Sequence, residues 1–196
     1  MSLHSPPLPD EAALYEAALR YLSRFAATRT GVARMLERRI KRWSRMMEGT
    51  DMDQAALPDA IHQAQQAARK VIERLERSGV LDDAAFAAAR TSSLTRAGRS
   101  RRAVAAHLVA KGVPPELVAQ SLPDNPELEL AAAVKLTKRK KLGPFAVERT
   151  TPTPQARQRA LAAMARAGFD GRTSQQALGM EREEAEALLE TLRSGI

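Results

Sequence analysis

The chain has 196 residues, no cysteine and few aromatic residues, which make up 4% of it. The absence of cysteine excludes disulfides and thiolate zinc sites, and it is compatible with a reducing cytoplasm. No segment approaches the roughly 18 apolar residues that a membrane helix needs. Residues 1–9 lack the basic and then apolar pattern of a signal peptide, and their three prolines predict a disordered lead-in. We therefore expect a cytoplasmic protein without membrane contact.

The residue sets of common enzymes are also missing. There is no Ser-His-acid set, no HExxH and no Walker loop, and the three histidines, His4, His62 and His107, are far apart in the sequence. The pair Asp82-Asp83 could suggest a metal site. Helix capping explains both acids without a metal, because carboxylates stabilise the first turn of a helix. We expect no catalysis, no metal and no cofactor.

Runs of alternating β-branched and polar residues are absent as well, and helical apolar spacing dominates, which predicts an all-α fold. One short pattern recurs: a large apolar residue, three intervening residues, a glycine and another apolar residue. It occurs at Leu75–Val80, Leu108–Val113 and Met164–Phe169. Glycine in this place is typical of a helix end in the left-handed conformation, with the next apolar residue folded back onto the last turn. A repeated helix ending indicates a repeated helical unit.

The apolar periodicity predicts three tandem three-helix repeats and a closing helix. The expected limits are 10–80, with an insertion near 49–57, then 81–125, and then 126–196 with the C-terminal helix. The first helix is expected over about 10–27 with Phe25 on its inner face, and Trp43 is expected in a core. In the later repeats Ser100 and Thr173 are expected to cap helices, and Val109 to face inward.

The net charge is +8 and the isoelectric point about 10.4, which favours an anionic partner such as nucleic acid or an acidic protein surface. The basic residues form three clusters. The candidate partner-binding residues are Arg38, Arg39, Arg42, Arg99, Arg101, Arg102, Lys111, Lys138, Arg139 and Lys140. A simpler alternative is that such cations only keep an alanine-rich helical surface in solution.

The clusters differ in their relation to helix ends. Arg99, Arg101 and Arg102 surround the start of a helix, where cations oppose the helix dipole, so a phosphate or an acidic side chain is expected to dock there. The run from Lys138 to Lys141 ends a helix, where basic residues favour the dipole anyway. The band on the second helix can contact a partner or pair with acids of a neighbouring repeat.

The stretch Val71 to Ala87, with its Leu81-Asp82-Asp83 start and Phe86-Ala87, resembles the RecX family of RecA regulators. So does the stretch from Gly98 to Val113, which ends in Leu108-x-x-Lys-Gly. Ala18 to Arg24 is similar to the family's opening helix. The resemblance covers about residues 15–180 and is strongest over 70–122. The chain departs from the family at Leu36, where the helix continues through Ile40 without the expected glycine.

The resemblance implies tandem three-helix units in an elongated, curved body that binds the RecA filament on DNA. It implies inhibition of RecA activity in recombination, DNA repair and the SOS response, with weak electrostatic contact to single- or double-stranded DNA and a monomeric state. The alternative is a helix-turn-helix protein that acts directly on duplex DNA. Against it, the candidate recognition helices over 115–121 and 173–178 carry no Arg or Lys.

Overall fold

The computed structural model describes residues 7–48, 54–147 and 153–194. Over these residues it contains ten α-helices, one 3-10 turn at Gly143–Phe145 and no strand, which confirms the all-α prediction. None of the helices in these ranges has the length and apolar character of a membrane span. The helices are α1 Glu11–Leu22, α2 Arg29–Met47, α3 Leu57–Arg77, α4 Asp83–Arg96, α5 Arg101–Ala110, α6 Pro115–Ser121, α7 Pro126–Lys140, α8 Pro154–Arg166, α9 Gly171–Gly179 and α10 Arg182–Ser194.

The order of the helices matches the predicted three repeats and closing helix. We call α1–α3 repeat 1, α4–α6 repeat 2 and α7–α9 repeat 3. By packing, the chain forms two compact units, which are Met1–Phe86 with Lys111–Val113, and Ala87–Ala110 with Pro114–Ile196. The predicted repeat limits near residues 80 and 125 stay a prediction.

The core of the first compact unit lies between α1, α2 and α3. It contains the apolar residues that recur every three or four positions along these helices: Leu14, Ala18, Val32, Leu36, Ile40, Ala64, Ala68, Val71, Ile72, Leu75 and Leu81. Trp43 packs with Met47 and Leu57 in a second cluster of the same unit, so its predicted core role is confirmed. Leu36 is fully buried, and large-to-small changes at such positions leave cavities.

The core of the second compact unit joins α7, α8, α9 and α10 with the 3-10 turn. It contains Ala132, Ala133, Val134, Leu136, Phe145, Met164, Phe169, Ala177, Ala185 and Leu189. Alanines on α7 allow close helix packing, and larger side chains of this core come from α7 itself, the 3-10 turn, α8, the α8–α9 connection and α10. The closing helix therefore completes a core rather than standing apart.

The three pattern glycines end helices as predicted. Gly79, Gly112 and Gly168 have φ values of 69°, 80° and 92°, in the left-handed region that other residues avoid. The apolar residues after Gly112 and Gly168 are buried, as expected. The expectation is wrong for the first copy, because Val80 is 49% exposed and the buried Leu81 closes the turn instead, its N–H donating to the Leu75 carbonyl at 3.1 Å.

Three expectations about individual side chains are wrong. The first helix ends at Leu22, so Phe25 lies in the connection to α2 and is 56% exposed. Val109 is 59% exposed in the last turn of α5, since Val104 and Leu108 fill the buried face. Asp170 rather than Thr173 caps α9, accepting from the Thr173 N–H at 2.7 Å.

Other sequence expectations fall partly outside the described residues. They are the lead-in before residue 7 with His4, and part of the insertion, over 49–53. His62 is exposed and His107 is half-buried.

Candidate basic interaction surfaces

The first basic surface is one face of α2. Thr28 starts the helix, its hydroxyl accepting from the Gly31 N–H at 3.0 Å. Helical periodicity then sends Val32, Leu36 and Ile40 into the core and the intervening cations to the outside. The predicted residues Arg38, Arg39 and Arg42 are all exposed on this outer face, together with Arg34, Lys41 and Arg45. We call this set the α2 basic face.

The second basic surface lies in the second compact unit, where the turn between α4 and α5 meets α7. The Lys135 ammonium donates to the Arg96 carbonyl, and the Arg139 guanidinium donates to the Ala97 carbonyl at 3.3 Å. Arg99 in the turn and Lys138 and Lys140 at the end of α7 are exposed. We call Arg96, Arg99, Lys135, Lys138, Arg139 and Lys140 the turn basic surface.

The α4–α5 turn and α7, which carry two of the predicted clusters, are thus in contact through Lys135 and Arg139. The basic side chains of α7 stabilise the C-terminal carbonyls of α4 as well as the end of their own helix. Lys135 and Arg96 were not among the predicted partner-binding residues. The signal for Lys135 was its spacing, because it precedes Arg139 by one helical turn and lies on the same side of α7.

The start of α5 is where a phosphate or an acidic side chain was expected to dock. An acidic side chain of the same chain lies there: the Arg101 N–H donates to the Glu129 carboxylate at 2.8 Å. The Arg101 guanidinium donates to the Leu122 carbonyl at 3.2 Å. Arg101 is therefore held by its own chain although, like Arg99 and Arg102, it is exposed.

Burial raises the pKa of two carboxyl groups, those of Glu129 and Asp83, that accept hydrogen bonds at these helix starts. Burial raises the pKa of the Glu129 carboxyl, although the Arg101 N–H opposes the rise. Burial likewise raises the pKa of the Asp83 carboxyl, which accepts from the Arg29 N–H at 2.7 Å. Asp82 caps α4, accepting from the Ala85 N–H at 2.9 Å. The Asp82-Asp83 pair thus serves two helix starts: Asp82 caps α4, as expected for one of the two acids, and Asp83 accepts at the start of α2.

The remaining predicted residues have mixed surroundings. The Lys138 ammonium lies 5.4 Å from the centre of the Phe145 ring, within reach of a cation–π interaction. The Lys111 side chain is exposed, and its carbonyl accepts from the Thr28 hydroxyl at 2.6 Å. Among the described residues, no three His, Asp or Glu side chains are grouped as metal ligands would be.

Comparisons with known proteins connect this architecture to one family. A family model for RecX, described as its second three-helix domain, matches residues 82–122. The regulatory protein RecX of Myxococcus xanthus (strain DK1622) is 39% identical over 158 residues, which cover 80% of this chain and 79% of that protein. The regulatory protein RecX of Agrobacterium fabrum (strain C58) is 33% identical over 109 residues, 56% of this chain and 57% of that protein.

Solved structures share the fold. A crystal structure of regulatory protein RecX has a TM-score of 0.62 at 18% identity, covering 85% of this chain and 70% of that chain. The crystal structure of RecX from Lactobacillus salivarius has a TM-score of 0.61 at 14% identity, covering 91% and 97% of the two chains. These two likenesses concern the fold. The identity to the Myxococcus protein over most of both chains shows that this chain belongs to the RecX family of regulatory proteins.

Proposed function

We propose that this protein is a non-enzymatic regulator that binds the RecA–DNA filament and lowers RecA activity in recombination, DNA repair and the SOS response. Membership of a family whose members are named regulatory proteins supports a regulatory role. RecA as the target, and inhibition as the sign, come from the family resemblance. We also expect the protein to act as a monomer in the cytoplasm.

The observation that carries the proposal is the presence of exposed cations in both compact units. The α2 basic face belongs to the first unit and the turn basic surface to the second. A filament assembled on DNA is a polyanion, and cations that displace its counterions gain free energy of binding. Linked weak contacts add through effective concentration, so two surfaces bind more tightly than either one alone.

The exposed members of these surfaces are the best candidates for direct contact. Arg38, Arg39 and Arg42 on α2 can each offer a guanidinium fork, which matches phosphate and carboxylate geometry. In the second unit the corresponding candidates are Arg99, Lys138 and Lys140 of the turn basic surface, together with the exposed Arg102 at the start of α5. For Arg101 and Arg139 we propose a positioning role, because their guanidinium groups donate to backbone carbonyls. Regulation would be steric and electrostatic, since a protein bound along the filament blocks monomer addition.

The direct test is the ATPase activity of RecA on single-stranded DNA, with this protein titrated from far below to equal to the RecA concentration. Inhibition well below equal concentration is expected, because one molecule bound at a filament end or in its groove affects many subunits. Unchanged ATPase activity at equal concentrations would contradict the proposal.

Direct binding of duplex DNA is the second candidate, and one observation favours it. α9 begins at Gly171, two residues before the expected start, so this candidate recognition helix includes the exposed Arg172. α6 still carries no Arg or Lys. Duplex recognition predicts a preferred DNA sequence and a steep loss of affinity with salt in the absence of RecA. Measuring binding to bare duplex DNA at two salt concentrations separates the two candidates.

A further inference from the structure

The start of α2 makes a specific set of contacts with distant residues of the first compact unit. The Thr28 hydroxyl donates to the Lys111 carbonyl at 2.6 Å while its oxygen accepts from the Gly31 N–H at 3.0 Å. The next N–H, of Arg29, donates to the Asp83 carboxylate at 2.7 Å. Thr28 is 1% exposed, and its hydroxyl is satisfied both as donor and as acceptor.

The start of α5 makes the same set of contacts inside the second compact unit. The Ser100 hydroxyl donates to the Ala167 carbonyl at 2.7 Å and accepts from the Ala103 N–H at 3.1 Å. The next N–H, of Arg101, donates to the Glu129 carboxylate at 2.8 Å. Ser100 is fully buried. Three hydrogen bonds at the start of α2 thus have counterparts at the start of α5. A fourth, from the Thr30 hydroxyl to the Gly112 carbonyl at 3.1 Å, belongs to α2 alone, because Arg102 stands at the equivalent position of α5.

The groups that accept these hydrogen bonds also occupy equivalent positions in the two sets of contacts. Each accepting carbonyl belongs to the residue before a left-handed glycine that ends the second helix of the next repeat, Gly112 or Gly168. A Cβ atom added at Gly112 would lie 2.4 Å from the Thr30 Cβ, and one added at Gly168 would lie 2.6 Å from the Ser100 Oγ. Each accepting acid lies in the first turn of the next repeat's first helix. Glycine allows the close approach, and the acid complements the positive end of the facing helix.

The first and last repeats each lack one part of this set of contacts. In repeat 3 the residue that caps the second helix is Thr153, which accepts from the Ala156 N–H at 3.2 Å, but Pro154 follows it and has no N–H to donate. In repeat 1 the position four residues after the buried Leu36 holds Ile40, buried inside α2, where the other repeats have a helix-ending glycine. Repeat 3 thus lacks the N–H that would donate after the capping hydroxyl, and repeat 1 lacks the helix-ending glycine that follows the accepting carbonyl.

We propose that these contacts are a joint by which each repeat docks onto the next one along the chain. The donating half is the capping hydroxyl and the following N–H of the second helix. The accepting half is the carbonyl before the helix-ending glycine and an acid of the next repeat's first turn. The partner of each surface is another repeat of the same chain, and the terminal repeats, each without one complete half, cannot be extended by the same joint. This inference does not depend on RecA.

The first test is amide hydrogen exchange resolved at Arg29 and Arg101 in the full chain. First-turn N–H groups have no intrahelical partner, so protection at these two amides reports the joint. Glu129→Ala should accelerate exchange at Arg101 by about tenfold or more, since a hydrogen bond to a charged acceptor is lost. Glu127→Ala, an exposed acid of the same first turn, is the matched control and should leave Arg101 unchanged.

The second test compares capping residues with and without a joint. Ser100→Ala removes a cap and a joint, whereas Thr153→Ala removes only a cap. Ser100→Ala should shift the urea midpoint of unfolding by at least about twice as much. Ser100→Thr gives α5 the same type of capping residue that α2 has at Thr28. This variant keeps the hydroxyl, so its urea midpoint should stay close to that of the original chain.

Either of two results would overturn the joint. One is exchange at Arg29 and Arg101 as fast as in an unprotected peptide. The other is equal midpoint shifts for Ser100→Ala and Thr153→Ala. If Ser100→Ala does not fold while Ser100→Thr does, the hydroxyl is required and the joint is supported; if neither folds, the exchange measurement on Glu129→Ala and Glu127→Ala decides.

Discussion

The α2 basic face and the turn basic surface are both clusters of basic residues in the sequence, but their side chains make different contacts in the structure. On α2 most of the cations project from the side opposite a continuous apolar stripe, and Arg39 lies at the edge of that stripe, so their placement follows from helical periodicity. In the turn basic surface Lys135 and Arg139 donate to carbonyls at the end of α4. A cluster of basic residues can therefore contain cations that hold the fold beside cations that are available to a partner, and only their contacts distinguish the two kinds.

The largest effect on stability should come from the buried side of α2. Leu36→Ala removes a fully buried side chain and should lower the free energy of unfolding by about 3 kcal/mol, within the usual range of about 2–5 kcal/mol for such cavities. Arg45→Ala on the opposite face should change it by less than about 0.5 kcal/mol, because Arg45 is exposed. Urea denaturation of both variants gives the two values. Similar losses would mean that α2 does not have one buried and one exposed face.

The next largest effect should be the loss of RecA inhibition when both basic surfaces are changed together. Reversing charge in both, with Arg38→Glu and Arg42→Glu on α2 and Lys138→Glu and Lys140→Glu on α7, should raise the concentration needed to inhibit RecA by more than about tenfold. Reversal in one surface alone should raise it by only a few fold, because linked contacts compensate for each other.

The RecA ATPase titration measures this difference. Arg157→Glu with Arg159→Glu, exposed cations of α8, is the control for net charge. Complete loss of inhibition from reversal in a single surface would show that the contacts are not distributed.

A smaller effect should separate the two kinds of cation. Arg139→Ala removes a donor to the Ala97 carbonyl and should lower the free energy of unfolding by about 1 kcal/mol, while Arg38→Ala should leave it nearly unchanged. For inhibition of RecA we expect the reverse order. Thermal unfolding and the ATPase titration of both variants test this, and equal stability of the two would remove the structural role given to Arg139.

The smallest effect should be the pH dependence contributed by Glu129. Because burial raises the pKa of this carboxyl in the folded protein, the folded state keeps a proton that the unfolded chain has already lost. The contribution of Glu129 to the free energy of unfolding therefore falls as the pH rises from the ordinary pKa of a glutamate to the raised pKa of the folded protein. Glu129→Gln keeps an oxygen to accept from Arg101 and should make stability fall less with pH than in the original chain. Urea midpoints measured across the acidic range check this, and a steeper fall in the variant would contradict the assignment.

Local patterns in the sequence were enough to predict the class of fold and the order of the helices. The apolar stripes of α2 and α3 and the glycines that end helices act over three or four residues, so they can be read without a structure. The same reasoning failed at Phe25, because an apolar residue in helical register does not show where the helix ends. It failed at Thr173 too, where Asp170 offered a better capping position three residues earlier.

The sequence by itself determined that the chain is helical, repetitive and basic, since backbone propensity, periodicity and charge are properties of neighbouring residues. Only the tertiary structure decided which acid meets which helix start and which cations hold carbonyls. Glu129 is 28 residues from Arg101, Arg139 is 42 from Ala97, and Thr28 is 83 from Lys111. Contacts over such separations depend on how helices pack, and no local pattern records them.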